Sequence, residues 1–236
     1  MTPTYDVLVI GLGAMGSAAL WRLARRKRRV LGLDQFASPH TNGSSHGRSR
    51  IIREAYFEHP VYVPLVQRAY LLWSELERKT RSTLLIPTGG VMIGPAGGVL
   101  VTGAMKSAVE HGLRFEYLDG PEIHRRFPAF HPAPEMVGVW EPHAGVLDPE
   151  ACVAACLAEA ERCGAEVRSG EPVLGWKAEG GGVMVTTGRD TYRAARLVLA
   201  AGAWTSRLLP ELSLPLSVER VVQVWLDPRG DRESVV

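Results

Sequence analysis

Apolar positions along this chain fall into short unbroken runs, helical stripes and alternating stretches, and each pattern predicts a different element. An apolar run at 7–10 and a second that ends in Asp34 flank residues 14–26, where Leu20, Leu23 and Ala24 share one helical side and arginines the other. That order reads as strand, helix, strand. After a loop over 36–49, the stretch PVYVPLVQRAYLLWSELERKT repeats Val63, Val66, Tyr70, Trp73 and Leu76 at helical spacing, which predicts a helix with a core-facing stripe. From 84 to 149 the composition shifts to glycine- and proline-rich short strands, LIPTGGVMIG and MVGVWEPHAGVL, around a helical piece at 105–111. These residues read as an inserted second domain.

The return is equally patterned. A helix over 149–163 has Pro149 at its start and Gly164 past its end. EVRSGEPVLGW, a hairpin across AEGGGVMVTTGRDTYRA, and an apolar strand in RLVLAAGAWTSRLL that runs to Gly202 and into a new helix complete the pattern. One local conflict stands out at the end of the first helix. A glycine is expected there and the sequence offers Lys27 or Arg28, at a cost of about 1 kcal/mol if that residue is left-handed.

Composition changes this picture little. A chain of 236 residues, 46% apolar and 22% charged, can bury a real core, and a formal net charge of +2 gives no general attraction to nucleic acid or an anionic membrane. No run approaches the roughly 18 apolar residues of a membrane helix. The opening YDVLVIGLGAMG carries Asp6 and three glycines without a basic leader, so it reads as folded structure rather than a secretion signal, and the expected compartment is the cytoplasm. Cys152, Cys156 and Cys163 share a helical pattern without metal-like spacing, so they read as small buried hydrophobes, and no metal site is expected.

Chemistry enters at two places. Gly11, Gly13 and Gly16 form Gly-x-Gly-x-x-Gly between the first strand and helix, and Asp34 closes the second strand. Gly11 permits a sharp turn, Gly13 admits a diphosphate against the backbone, Gly16 lets the helix pack closely, and Asp34 can accept ribose hydroxyls. The helix start then faces the phosphates with its unpaired N–H groups. The second place is HTNGSSHGRSRIIR, residues 40–53, with two imidazoles, three guanidiniums and no carboxylate. A second glycine-tipped strand-to-helix junction at Gly202 suits a flavin domain of the glutathione-reductase type better than a lone nicotinamide site. An NAD-linked dehydrogenase is the weaker alternative.

Five stretches, VIGLGAMGSAA, HTNGSSHGRSRIIREAY, YVPLVQRAYLLW, EPHAGVLDPEACV and LAAGAWTSRLL, resemble the flavoprotein amine oxidases of the monomeric sarcosine oxidase and N-methyltryptophan oxidase group, within the wider D-amino-acid-oxidase-like family. The resemblance implies an α/β fold: an FAD-binding, Rossmann-like domain of residues 1–84 and 146–215, with an inserted α+β substrate domain of which 85–145 and 216–236 form a part. It implies oxidation of a secondary amine of an N-methyl or cyclic amino acid to an imine, with O2 reduced to hydrogen peroxide. His46 and Arg50 would lie against the flavin ring as catalytic residues. Arg53 would grip the substrate carboxylate through a bidentate pairing that lysine cannot match. If that backbone were helical, Arg50 and Arg53 would share a face. The plain alternative for each arginine is an ion pair with Glu54 or Glu58.

The implied FAD contacts are Gly11, Gly13, Ala14, Met15 and Gly16 at the turn, Asp34 and Gln35 at the ribose, and Ser44, Ser45, His46 and Arg50 in the basic loop. Val173 would lie near the adenine, with Gly202 and Trp204 at the second junction, where Trp204 also reads as plain core. Arg48 reads as solvated and His40 as a loop-shaping residue. The sequence stops at VERVVQVWLDPRGDRESVV, before the family's usual end, so the fold is expected to be incomplete at its C-terminus. The absent part would carry the flavin-tethering cysteine, and FAD is therefore expected to be non-covalent. Exposed sheet edges would then favour self-association, and a catalytically inactive FAD-binding remnant or fragment is the alternative to an active oxidase.

Overall fold

A computed structural model describes residues 5–222 and 224. The chain opens with β1 (Tyr5–Ile10), turns into α1 (Ala14–Arg25) and returns through β2 (Val30–Leu33). It continues through β3 (Arg50–Ile52), α2 (Val63–Thr80), β4 (Leu85–Pro87), β5 (Gly90–Pro95), α3 (Val99–His111), β6 (Glu116–Leu118), α4 (Gly120–Arg126), β7 (Met136–Glu141) and β8 (Gly145–Leu147). It comes back through α5 (Pro149–Arg162), β9 (Glu166–Arg168), β10 (Val173–Glu179), β11 (Gly182–Thr187) and β12 (Thr191–Leu199), followed by the single turn α6 (Thr205–Leu208).

The described residues up to Arg48 and those from Asp148 onward form one unit, and Ser49–Leu147 forms the other. This corrects the expected boundary at residue 84. β3 finds its ladder partner in β8, and α2 buries Val63, Val66 and Leu76, so the whole of 49–84 belongs to the second unit. Residues 216–222 group with the first unit as irregular chain, and residues 223 and 225–236 of the expected second-domain tail lie outside the described residues.

The first unit is built on a six-stranded sheet in the order β10-β11-β12-β1-β2-β9. β12, β1, β2 and β9 run parallel, while β10, β11 and β12 form an antiparallel meander. β12 joins the two parts, because Ala194 pairs with Val183 of β11 on one side and with Tyr5 of β1 on the other. The hairpin strand and the apolar strand that the sequence separated are thus one continuous element, and it ends at Leu199 rather than Gly202.

Side chains alternate across this sheet as strand geometry requires. Leu8, Ile10, Leu31 and Leu33 form one buried face with Val185 and Ala194 of the meander. Each such leucine contributes about 1.5–3 kcal/mol relative to exposure. On the opposite face Gly32 leaves room for Leu12 and Leu20, whose side chains would lie 2.8 and 2.9 Å from an added Cβ. α1 lies against α5, burying Ser17, Trp21 and Ala24 on one helix and Cys152, Cys156 and Ala160 on the other. Lys27 takes the left-handed conformation at φ 59° where the sequence lacked a glycine. α5 starts on Asp148, whose carboxylate accepts the Ala151 N–H at 2.8 Å.

The second unit holds two three-stranded antiparallel sheets, β3-β8-β4 and β5-β7-β6. α3 starts earlier than the 105–111 expectation and packs Val101, Ala104 and Ala108 against Val139 and Ala55. Gly103 lets the helix backbone approach the Phe57 carbonyl, since a Cβ there would sit 2.1 Å from its oxygen.

Two outcomes follow from this packing. Gly16→Ala should destabilise the chain by about 3 kcal/mol in chemical denaturation, because its Cβ would fall 1.7 Å from the Gly11 carbonyl oxygen; a loss below about 1 kcal/mol would contradict the packing. Burial pushes the Cys156 thiol up to about 12, against a weaker opposing hydrogen bond from Ser17. A thiol reagent at mildly alkaline pH should therefore label Cys163, which is half-buried, before the buried Cys152 and Cys156; equal rates for all three would contradict it.

Candidate active site

The glycine turn is held by the strands on either side of it. The Gly11 N–H donates to the Leu33 carbonyl and the Ala200 N–H to the Ile10 carbonyl, each at 2.8 Å. Gly11 has φ 87°, and a Cβ there would lie 2.4 Å from the Ala200 oxygen, so neither conformation nor space allows another residue. α1 therefore begins at the carboxyl end of the parallel strands. Gly13 is its N-cap without a side-chain bond, and its first turn carries no acid. Ala14 and Met15 are exposed there, Met15 at 79%. The Ser45 hydroxyl accepts the Ala14 N–H at 2.9 Å and sits 3.2 Å from where a Gly13 Cβ would be. An exposed helix start, bare of side chains at Gly13 and flanked by a hydroxyl, is chemically suited to a diphosphate.

Asp34 is 6% exposed and holds several donors. Its Oδ2 accepts the Leu12 N–H at 2.7 Å and the Ser38 hydroxyl at 3.2 Å, and its Oδ1 accepts the Phe36 N–H at 2.9 Å. His40 Nε2 lies 3.5 Å from Oδ1. The carboxylate thus ties the glycine turn to the loop after β2, a role that spacing alone did not reveal. Phe36 meets His40 edge-on at 4.8 Å and Trp204 at 5.8 Å, so His40 shapes this loop and Trp204 packs on it. Gln35 and Trp204 are half-buried, and Gly202 is left-handed at φ 52°. Val173 starts β10 opposite Thr187 and packs on the Leu31–Leu33 face of the sheet.

In the basic loop, His46 and Ser45 are half-buried and Ser44 is exposed. Gly47 and Arg48 are consecutive positive-φ residues, at 106° and 64°. Their N–H groups converge on Glu150, at 2.7 Å for Gly47 and 3.2 Å for Arg48. Arg48 thus contributes backbone to the loop, beyond the solvated side chain that the sequence suggested. Burial pushes the Glu150 carboxyl up, but the N–H groups of Gly47, Glu150 itself and Arg48, with the charge of His46, together hold the carboxyl below the ordinary glutamate value.

Arg50 belongs to the second unit and opens β3, with its Nη1 donating to the Ser49 carbonyl at 2.7 Å. This segment is a strand, which corrects the helical placement of Arg50 and Arg53 on one face: Arg50 shares its face with Ile52, and Arg53 follows the strand end. Arg53 is 20% exposed at its side chain, and its Nη2 lies 3.3 Å from both Glu58 carboxylate oxygens. Its guanidinium sits 4.7 Å from the Tyr56 ring centre and 5.3 Å from that of Phe57. Its Nε is buried without a hydrogen-bond partner among the described residues. Nearby, Glu141 accepts the Glu54 and Ala55 N–H groups, Glu54 lies 3.2 Å from His143 Nδ1, and the Tyr70 hydroxyl donates to the His143 carbonyl. Burial, then the charges of Glu141 and Glu54, raise the Tyr70 hydroxyl far above its usual range.

Comparison with known proteins adds an independent line. The family described as FAD dependent oxidoreductase (DAO) matches residues 6–235. The chain is 48% identical over 229 residues to a monomeric sarcosine oxidase of Streptomyces avermitilis, covering 97% of this chain and 60% of that protein. It is 34% identical to an N-methyl-L-tryptophan oxidase of Salmonella arizonae, covering 96% of this chain and again 60% of the relative. The chain thus spans about 60% of the length of the curated relatives it matches. Among solved structures it superposes on NikD, an amino acid oxidase of nikkomycin biosynthesis, with TM-score 0.80 and 32% identity, covering 89% of this chain and 55% of that one. Glycine oxidase from Geobacillus kaustophilus shares the fold at TM-score 0.75 and 22% identity, covering 90% and 59%.

The Glu150 contacts carry a pH dependence of known sign. A carboxyl lowered by folding gives stability that is complete above its unfolded value and is lost as pH falls through its folded one. Protection factors at Gly47 and Arg48, with exchange corrected for its intrinsic pH dependence, should therefore be high at neutral pH and fall as Glu150 protonates, whereas in Glu150→Gln they should be low throughout. Protection unchanged by either acid or the substitution would refute the contact.

Proposed function

Because the chain belongs to the FAD dependent oxidoreductase family, we propose that it serves the FAD-dependent oxidation of a secondary amine in an N-methyl or cyclic amino acid. The observation that carries this reading is the exposed start of α1 above the Gly11–Gly13–Gly16 turn, with no side chain at Gly13 and the Ser45 hydroxyl accepting the Ala14 N–H. Gly11, Gly13, Ala14, Met15, Gly16 and Ser45 hold the diphosphate, with Ser44 beside them. Asp34 and Gln35 serve the ribose. Since a carboxylate offers about four acceptor sites, a ribose hydroxyl at Asp34 displaces Ser38 or His40 and leaves the Leu12 and Phe36 N–H groups bound. Val173 borders the adenine, and Gly202 and Trp204 border the second junction.

When bound, FAD would supply the two-electron oxidation of the amine to an imine, with O2 as the final acceptor giving hydrogen peroxide. His46 and Arg50 supply positive charge toward the flavin ring. Cys152 and Cys156 are buried on α5 and Cys163 caps that helix, so none of the three is assigned as a flavin tether.

Arg53 binds the substrate carboxylate. Its contacts to Glu58 are longer than the usual 2.7–2.9 Å of a charge-assisted hydrogen bond and are partly exposed, so that pair is worth little and yields readily to a better-aligned carboxylate. The cation stays seated on Tyr56 and Phe57 meanwhile.

Purified chain mixed with FAD should retain flavin absorbance through gel filtration, release it completely on acid precipitation, and form peroxide with N-methyl amino acids. A chain that retains no flavin would overturn the proposal, and flavin retention without peroxide would leave an FAD-binding module in place of an oxidase. Arg53→Lys should weaken a carboxylated amine by about tenfold to a hundredfold without changing flavin content, and an unchanged affinity would remove Arg53 from the substrate contacts.

A further inference from the structure

The segment EPHAGVLDPE stands out in the sequence, yet the chemistry above gives its first residue no task. Glu141 ends β7 and is 3% exposed. One of its carboxylate oxygens accepts the Glu54 N–H at 2.7 Å and the other accepts the Ala55 N–H at 2.8 Å. These are the two peptide groups that follow Arg53. On the other side of Arg53, β3 ends at Ile52, which is in register with Gly145 of β8. Arg53 is therefore carried on a short piece of backbone fixed at one end by a ladder and at the other by a single buried carboxylate.

Arg53 has little else to define its direction. Its Nε has no partner among the described residues, and its Nη2 reaches Glu58 only at 3.3 Å. The rings it rests on belong to the same piece of chain. Tyr56 is held through its carbonyl by the Ser107 hydroxyl, and Phe57 through the close approach of Gly103. Ala55 is fully buried against α3 and β7. A side chain with few polar bonds of its own inherits its aim from its backbone.

A buried carboxylate is a costly way to satisfy two N–H groups, with an effective desolvation penalty of several kcal/mol. Its cost is understandable where the course of the chain matters more than local stability. We propose that Glu141 is a positioning residue for Arg53, holding the 54–55 peptide groups so that the guanidinium leaves the end of β3 in the direction that meets a substrate carboxylate. This rests on the reading of Arg53 as the carboxylate ligand.

The test is equilibrium binding, to the FAD-loaded chain with its flavin reduced and O2 excluded so that no turnover occurs, of two probes, N-methylglycine and its amide, which lacks the carboxylate. Glu141→Gln should weaken N-methylglycine by about tenfold and leave the amide unchanged, because misplacement of one positioning group costs only the contact it aligns. In a double-mutant cycle with Arg53→Lys, the two losses should be clearly less than additive. Equal weakening of both probes, no weakening of either, or full additivity would overturn the proposal. If glutamine at 141 prevents folding, Glu141→Asp keeps the charge but retracts it by one methylene and should give the same selective loss. If Arg53→Lys itself leaves N-methylglycine unaffected, the assignment of Arg53 fails; if Arg53→Lys weakens it and the Glu141 variants do not, only the positioning role fails.

Discussion

The contact between Gly16 and the carbonyl of Gly11 sets the geometry of the first unit. Helix and turn meet backbone to backbone, with no space for a side chain on either partner. That closeness brings the start of α1 to the carboxyl ends of β1 and β12, with Ala14 and Met15 exposed there. Asp34 then joins the turn to the loop after β2, and Ser45 joins the basic loop to the helix start. A Gly-x-Gly-x-x-Gly sequence thus acts here less as a flexible loop than as a close backbone-to-backbone contact.

Two acids of one short segment do related work in the two units. In the first, Glu150 receives the N–H groups of Gly47 and Arg48. In the second, Glu141 receives those of Glu54 and Ala55. Each carboxylate binds two successive peptide groups, an arrangement in which both oxygens are satisfied and the chain is fixed in direction as well as position. Of the positive side chains that attract attention in the sequence, Arg50 and Arg53 lie between these two points along the chain and His46 immediately precedes the first.

What could be read in advance was what local chemistry dictates. The first strand, helix and strand, the start of α5 at Pro149, and the missing glycine after α1, which left Lys27 or Arg28 to end it, all follow from residues within a few positions of one another. The boundary at Arg48 could not be read that way, since the apolar stripe of α2 looks the same whichever unit it packs into. The unity of β12 was hidden because Arg193, Ala194, Ala195 and Arg196 interrupt the apolar pattern where the strand passes from one partner to the other. The strand at Arg50–Ile52 was legible in principle from paired β-branched residues, which favour an extended chain. The roles of Glu141 and Glu150 were not, because their partners are peptide N–H groups that every non-proline residue carries.

That last point has an evolutionary side. Since these acids recognise the main chain, the route of the basic segment is largely independent of the side chains it bears. Position 48, within the limits of its left-handed conformation, is exposed and can exchange its side chain for others, proline excepted because it lacks the required hydrogen, and the path of the segment is retained. Charge and shape along the segment can therefore drift or be re-engineered for new substrates on an unaltered track.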